Sequence, residues 1–327
     1  MQRVDIAVLD DYADAALQLA DWSALQAQGR VDVDTDHVDD VDQLVERLQP
    51  YGAVVLMRER TPFPAAVIDR LDRLRLIVTT GRRNPVIDLA AAARRGIVVS
   101  HTDASSSSTV ELTWALILAH SRHLVDEVAA LRSGGWQSTI GRDVAGATLG
   151  VLGLGRIGSR VAEVGRAFGM DVIAWSRTLT PERAASSGAA AVTFSELLSR
   201  SDVLTVHVPL NDGTRALLGA EELAAMKPDA LLVNTSRGPI VDGAALRDAL
   251  AAGRPGGAAV DVFDVEPPAA DDPLVGIPRV LATPHLGYVT RGGMALFYRG
   301  AVEDVEAFLA GAPVRVLAAP DGPGSRP

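Results

Sequence analysis

The chain has 327 residues and a formal net charge of −10, and 48% of it is hydrophobic. The length exceeds what one core usually serves and sets two domains as the expectation; the acidic balance argues against nucleic acid as a partner, because phosphate binding needs a cationic face. Cysteine is absent, which excludes disulfides, cysteine-ligated zinc, iron–sulfur clusters and a thiolate nucleophile.

The opening "MQRVDIAVLDDYADAA" has neither the basic nor the apolar region of a signal peptide. No apolar run reaches ~18 residues, so neither a membrane span nor a membrane partner is expected, and a cytoplasmic protein is. Residues 4–11 read as a buried parallel strand, and 15–29 has helical spacing that ends at Gly29. Apolar runs at 52–57, 74–80 and 96–101 alternate with helical segments such as "PAAVIDRL" and "DLAAAARR", the rhythm of βαβ units around a parallel sheet. A serine-rich loop follows, then a long apolar helix over about 108–132, capped from Ser107, Ser108 or Thr109. A second βαβ series starts at Ala147: "ATLGVLGLG", "DVIAWS", "DVLTVHVP", "ALLVNTS", "GAAVDVF" and "RVLATPH" supply six strand candidates. From Arg291 the spacing predicts a helix to about 310, and residues 321–327 read as a disordered tail.

The segment Gly153-Leu154-Gly155-Arg156-Ile157-Gly158 follows an apolar strand and opens an amphipathic helix, the context a dinucleotide turn requires. Gly153 permits the tight turn, Gly155 lets a pyrophosphate approach the backbone, and Gly158 lets helix and strand pack closely. The helix N-terminus turns its N–H groups toward the phosphates. The fold class expected is therefore α/β, with two Rossmann-like lobes, doubly wound parallel sheets and a cleft between them. Residues 106–284 form the dinucleotide-binding domain; residues 1–105, completed by 285–320, form the substrate domain.

The strand "DVIAWS" ends without the acid that would bind adenosine ribose hydroxyls; Ser176 and Arg177 stand there instead. A carboxylate would repel a 2′-phosphate, whereas serine and arginine can bond and neutralise it, so NADP(H) is favoured over NAD(H). The alternative for Arg177 is a solvated surface cation.

Arg237, Glu266 and His285 each follow a strand candidate, and ligands of open parallel sheets bind beyond the carboxyl ends of the strands. Position selects the edge without proving that the side chains meet. The ordered motifs "GATLGVLGLGRIG", "HVPLNDGTRALLG", "MKPDALLVNTSRGPIVD", "GAAVDVFDVEP" and "TPHLGY" resemble the D-isomer-specific 2-hydroxyacid dehydrogenases over nearly the whole chain. The resemblance implies an NAD(P)-dependent enzyme interconverting a small 2-oxoacid and a D-2-hydroxyacid, working as a homodimer. It implies His285 as acid/base, Glu266 as its partner, and Arg237 as the group that binds the substrate carboxylate and polarises its carbonyl. It also implies cofactor contacts at Arg156, Ile157, Pro209, Thr235 and Asp261, with Asp261 at the nicotinamide carboxamide. Two other readings share the fold: a cofactor-sensing corepressor-like binding protein, and a formate-dehydrogenase-like enzyme, which usually carries glutamine in place of Glu266.

The substrate lobe departs from the family pattern. Relatives carry a Gly-x-Gly loop whose N–H groups hold the substrate carboxylate; here "TTGRRNPVID" keeps Gly81, lacks the second glycine and continues through Arg82, Arg83, Asn84 and Pro85. Arg82 or Arg83 is expected to read an anionic or larger polar substrate, with a solvated pair as the alternative. Arg58, at a strand end in "VVLMRERTPFP", is a further candidate for the substrate mouth.

Overall fold

The computed structural model describes residues 4–319, so the expected tail at 321–327 lies outside the described residues. The chain forms two compact units: residues up to 105 with those from 290 onward, and residues 106–289. Among the described residues no helix is long and apolar enough to cross a membrane.

In the first unit, β1 (Ile6–Val8), β2 (Val31–Val33), β3 (Ala53–Leu56), β4 (Leu76–Thr79) and β5 (Val98–His101) run parallel in the order β5-β4-β3-β1-β2. Every residue of β3 and β4 is buried. Both faces of such a sheet are covered, which is why these strands read as unbroken apolar runs rather than as alternation. Leu44, Leu48, Phe63, Ile68 and Ile97 share one core against it. The helix Arg291–Leu309 starts where the Thr290 hydroxyl accepts the Gly293 N–H at 3.0 Å, and it packs on β4 and β5.

In the second unit, β6 (Thr148–Leu152), β7 (Asp171–Trp175), β8 (Ala190–Ala191), β9 (Val203–Val206), β10 (Leu231–Asn234), β11 (Gly257–Val260) and β12 (Val280–Ala282) form one parallel sheet in the order β12-β11-β10-β9-β6-β7-β8. The two-residue side-chain period splits these strands between two cores. Leu149, Val151, Val203 and Leu231 pack into one with Trp114 and Val161; Leu152, Leu204 and Leu232 pack into the other with Leu197, Leu246 and Leu250. In the first unit, β13 (Val316–Ala318) completes its sheet antiparallel to β5.

Several sequence expectations need correction. The helix expected over 15–29 is two, Ala16–Leu19 and Ser23–Gln26, because the chain turns inward at Trp22, whose indole N–H donates to Ala16 O at 2.9 Å. The helix expected over 108–132 breaks into Ser107–Ser121 and Leu124–Arg132, since His123 takes a left-handed backbone at φ 49°. Its N-cap position is Ser106, one residue before the expected serines, and no side-chain cap bond forms there. Three strands were not expected. β2 is three residues with an acid at its centre, β8 is two exposed alanines, and β13 is a short edge strand after the last helix. The chain leaves the second unit at Thr290 rather than at 285: Leu286 and Gly287 are bonded to Asp261, and Gly287 also to Thr109, of that unit.

Candidate active site

The turn after β6 is built by overlap that only glycine avoids. Gly153 has φ 101°, and a Cβ on it would lie 2.8 Å from the backbone of His207 and Val208 beyond β9. A Cβ on Gly158, in the first turn of the helix Arg156–Ala167, would lie 2.1 Å from Gly153 O. At Gly155 a Cβ would meet nothing within 4 Å, so the backbone there borders open space. A tight turn, a helix pressed on its strand and an open approach at the middle glycine fit the pyrophosphate of a dinucleotide. Arg156 is exposed and Ile157 half-buried on the same helix.

Beyond β7, Ser176 is half-buried and Arg177 is exposed. Arg177 donates to Gly213 O at 2.9 Å, in the loop that follows β9. In that loop Pro209 O accepts from the Thr214 hydroxyl at 2.7 Å. Thr235 is buried beyond β10, and its hydroxyl shares a 2.9 Å hydrogen bond with Thr113.

β10, β11 and β12 are neighbours in the sheet, and Arg237, Glu266 and His285 lie beyond their carboxyl ends. The Glu266 and His285 side chains meet: His285 Nδ1 and Glu266 Oε2 are 2.5 Å apart, and Glu266 Oε1 accepts the Phe263 N–H at 2.9 Å. Burial opposes the charge on Glu266, yet the His285 hydrogen bond and charge, the Phe263 N–H and the nearby Arg237 together hold its carboxyl below the usual carboxylate range. An ionised carboxylate only accepts, so Nδ1 is the donor and Nε2 is the ring nitrogen left for other partners. Tyr288 stands edge-on to the imidazole, with ring centroids 5.2 Å apart. Arg237 is half-buried, and its guanidinium donates to Ser236 O at 2.6 Å.

His285 has φ 52°, a left-handed backbone that a non-glycine residue keeps only when its surroundings hold it. Asp261 is the main holder. Its Oδ1 accepts the Leu286 N–H at 2.7 Å and the Thr283 hydroxyl at 2.6 Å, and its Oδ2 accepts the Gly287 N–H at 2.8 Å. Burial raises the Asp261 pKa, and these bonds and His285 pull against it. The Thr109 hydroxyl donates to Gly287 O at 2.9 Å from the first helix of the unit. Sequence reasoning placed Asp261 near this edge without its anchoring bonds and read Thr109 only as a candidate helix cap, since no local signal announces its bond to Gly287.

In the first unit Arg58 follows β3, and Gly81 and Arg82 follow β4, on one carboxyl edge. Gly81, expected to offer its N–H to a ligand, donates it to the Thr102 hydroxyl at 2.9 Å. A Cβ on Gly81 would lie 1.8 Å from Arg58 Nη1, so the missing side chain makes room for that guanidinium. Arg82 is exposed and pairs with Asp103 through Nε at 3.1 Å and Nη2 at 2.9 Å.

The other histidines have structural surroundings. His37 Nδ1 lies 2.7 Å from Asp10. His207 meets the Thr205 hydroxyl at 2.9 Å, and burial lowers its pKa to about 4. His120 lines a cavity of about 360 Å³ with Arg142, Asp229 and Arg279. That cavity adjoins Val203, Leu231 and Val280, the first residues of β9, β10 and β12. It is therefore at the amino edge, opposite the glycine turn, where open α/β sheets do not place their chemistry.

Fold and edge together define an α/β protein whose second sheet carries a glycine turn of the dinucleotide-binding kind. The family model for the D-isomer specific 2-hydroxyacid dehydrogenase NAD binding domain matches residues 114–287, and the chain belongs to that family. It is 40% identical over 272 residues to the glyoxylate reductase of Aeropyrum pernix, covering 78% of this chain and 81% of that protein. It is 37% identical over 289 residues to the D-3-phosphoglycerate dehydrogenase of Bacillus subtilis, covering 86% of this chain and 55% of that one, so the chain spans about half the length of that relative. The crystal structure of phosphoglycerate oxidoreductase from Vibrio cholerae O395 superposes with a TM-score of 0.90 at 39% identity, covering 94% of this chain and all of that one (100%).

Proposed function

We propose that the protein interconverts a small 2-oxoacid and its D-2-hydroxyacid with a nicotinamide cofactor. The observation that carries this reading is the His285–Glu266 hydrogen bond, on the carboxyl edge that also bears Arg237 and the glycine turn. The bound nicotinamide supplies the hydride in reduction and takes it back in oxidation. His285 Nε2 gives a proton to the substrate's carbonyl oxygen in reduction and removes it in the reverse direction. Glu266 keeps Nδ1 protonated and favours the imidazolium. Arg237 binds the substrate carboxylate and stabilises charge that develops on the carbonyl oxygen. Gly153, Gly155, Arg156, Ile157 and Gly158 hold the pyrophosphate, and Pro209, Thr235 and Asp261 complete the cofactor's bed. In the first unit Arg58 and Arg82 bind the rest of the substrate, and Gly81, whose N–H is taken by Thr102, gives Arg58 its room. Steady-state oxidation of NADPH and NADH with glyoxylate, hydroxypyruvate, pyruvate and phenylpyruvate tests the reading. Turnover with at least one is expected; none, alongside tight cofactor binding, would favour a cofactor-sensing binding protein.

The cofactor reading is NADP(H) over NAD(H), on Ser176 and Arg177 beyond β7. The protein further acts as a homodimer in this reading. Leu124 (50% exposed), Val128 (46%) and Leu131 (59%) line one face of a helix that buries none of its residues, and Trp136 (77%) and Ile140 (92%) follow it. Apolar side chains so grouped mark an interface. Sedimentation velocity should give a dimer, and a Val128→Glu, Leu131→Glu double variant a monomer.

A further inference from the structure

Arg58 keeps an unusual backbone. Its φ is 57°, in the left-handed region where a β-carbon is strained, so neighbouring bonds must hold it there. Its N–H donates to the Thr80 hydroxyl at 2.8 Å, and its carbonyl accepts from Asn84 Nδ2 at 2.6 Å. Asn84 is 6% exposed and fully engaged. Nδ2 also donates to the Thr79 hydroxyl at 2.9 Å, and Oδ1 accepts the Val86 N–H at 3.2 Å across Pro85. One amide thus stitches the loop after β3 to the loop after β4. Next to that stitch the Arg58 guanidinium lies in the space that Gly81 leaves free, with Nη1 donating to Thr80 O at 3.4 Å.

We infer that Asn84 positions Arg58 for substrate recognition, by fixing the strained backbone from which the guanidinium projects over Gly81. The inference rests on the reading above that Arg58 touches the substrate. Only an amide of this length serves both neighbours, because a carboxylate of the same shape cannot donate and would set two acceptor oxygens against each other at Arg58 O.

The test compares Arg58→Ala, Asn84→Asp and the double variant. The readouts are KM and kcat for glyoxylate, Kd for oxalate on the NADPH-loaded protein by calorimetry, and Kd for NADPH. Asn84→Asp should raise KM and oxalate Kd about tenfold, with kcat and NADPH affinity within about threefold, a difference worth about 1.4 kcal/mol. Added to Arg58→Ala it should raise neither further, since residues acting through one group are not additive. Asn84→Ala removes the bonds without the repulsion and should give a smaller rise of the same kind, which keeps the test open if the aspartate variant does not fold. Unchanged KM and Kd in both Asn84 variants while Arg58→Ala raises them would overturn the positioning role alone, as would multiplying effects in the double variant. Unchanged values in Arg58→Ala would overturn the substrate role of Arg58 and this inference with it. Loss of turnover with every oxoacid, alongside the expected pattern in oxalate Kd, would uphold the inference and overturn the proposed reaction.

Discussion

The two sheets carry their functional edges in different ways. Beyond β10, β11 and β12 of the second unit, chemistry-bearing side chains sit within a few residues of each strand end, and the carboxylate and imidazole bond each other directly. Beyond β3 and β4 of the first unit, the Arg58 cation is set indirectly, through backbone bonds to Thr80 and Asn84 and a space left by Gly81. In the proposed reading the second unit's edge carries the reaction, and its residues lie in contiguous motifs. In the same reading the first unit's edge selects the ligand, and its parts are exchanged between loops. Variants on the second unit's edge should then change the rate of the chemical step, and variants on the first unit's edge should change which acid binds.

The strongest way to break the contrast is His285→Ala. General acid–base catalysis contributes about 10²–10⁴-fold, so kcat should fall by roughly 10³ while NADPH affinity stays within a few-fold. Stopped-flow reduction and fluorescence titration measure the two. A large loss of NADPH binding with a modest kcat effect would make His285 part of the cofactor bed instead.

Next in size is Gly158→Ala. A methyl there would lie 2.1 Å from Gly153 O, a backbone atom that cannot swing aside. The helix Arg156–Ala167 would have to move off β6, and overpacking of this sort costs about 1–3 kcal/mol. Chemical denaturation should show that loss, together with weaker dinucleotide binding. A variant of unchanged stability and affinity would mean that the close approach of helix and strand is not needed.

How much of each edge was legible follows the same division. The strands β6, β9, β10 and β11 could be read because unbroken apolar runs end in glycine or polar residues, and their terminal residues name their chemistry. β8 and β13 could not, since two or three residues that pair only at a sheet edge carry no period. The break at His123 was hidden because both flanking segments have helical spacing, and only the left-handed residue between them separates a buried helix from an exposed one. The bonds from Asp261 to residues 283–287, and from Asn84 to Arg58, span 22 or more positions in sequence. Nothing local announces them, although an Asn-Pro pair in a loop does mark a side chain ready to bond the backbone.

Arg177→Asp sharpens the cofactor side of the comparison. Arg177 is exposed and anchored to Gly213 O, so replacing it should leave folding intact. The NADPH-to-NADH ratio of kcat/KM should shift toward NADH by about tenfold, the worth of one charge-assisted contact. An unchanged ratio would remove the basis for preferring NADP(H).

The smallest effect is a pH profile. The Glu266 carboxyl is held below its usual 4.5, chiefly by the His285 hydrogen bond and charge acting against burial. A depressed acid contributes stability above its unfolded value and loses it as the pH falls through the lower folded value. The Glu266 carboxylate therefore stays charged as the pH falls to 4.5, and reductive kcat/KM should show no loss from its protonation down to that pH. In Glu266→Gln the imidazole loses its carboxylate partner, so reductive kcat/KM should fall while its acid side stays flat. A fall in wild-type activity already centred above pH 4.5, absent from Glu266→Gln, would mean that His285 does not hold this carboxylate ionised and that the two side chains act separately.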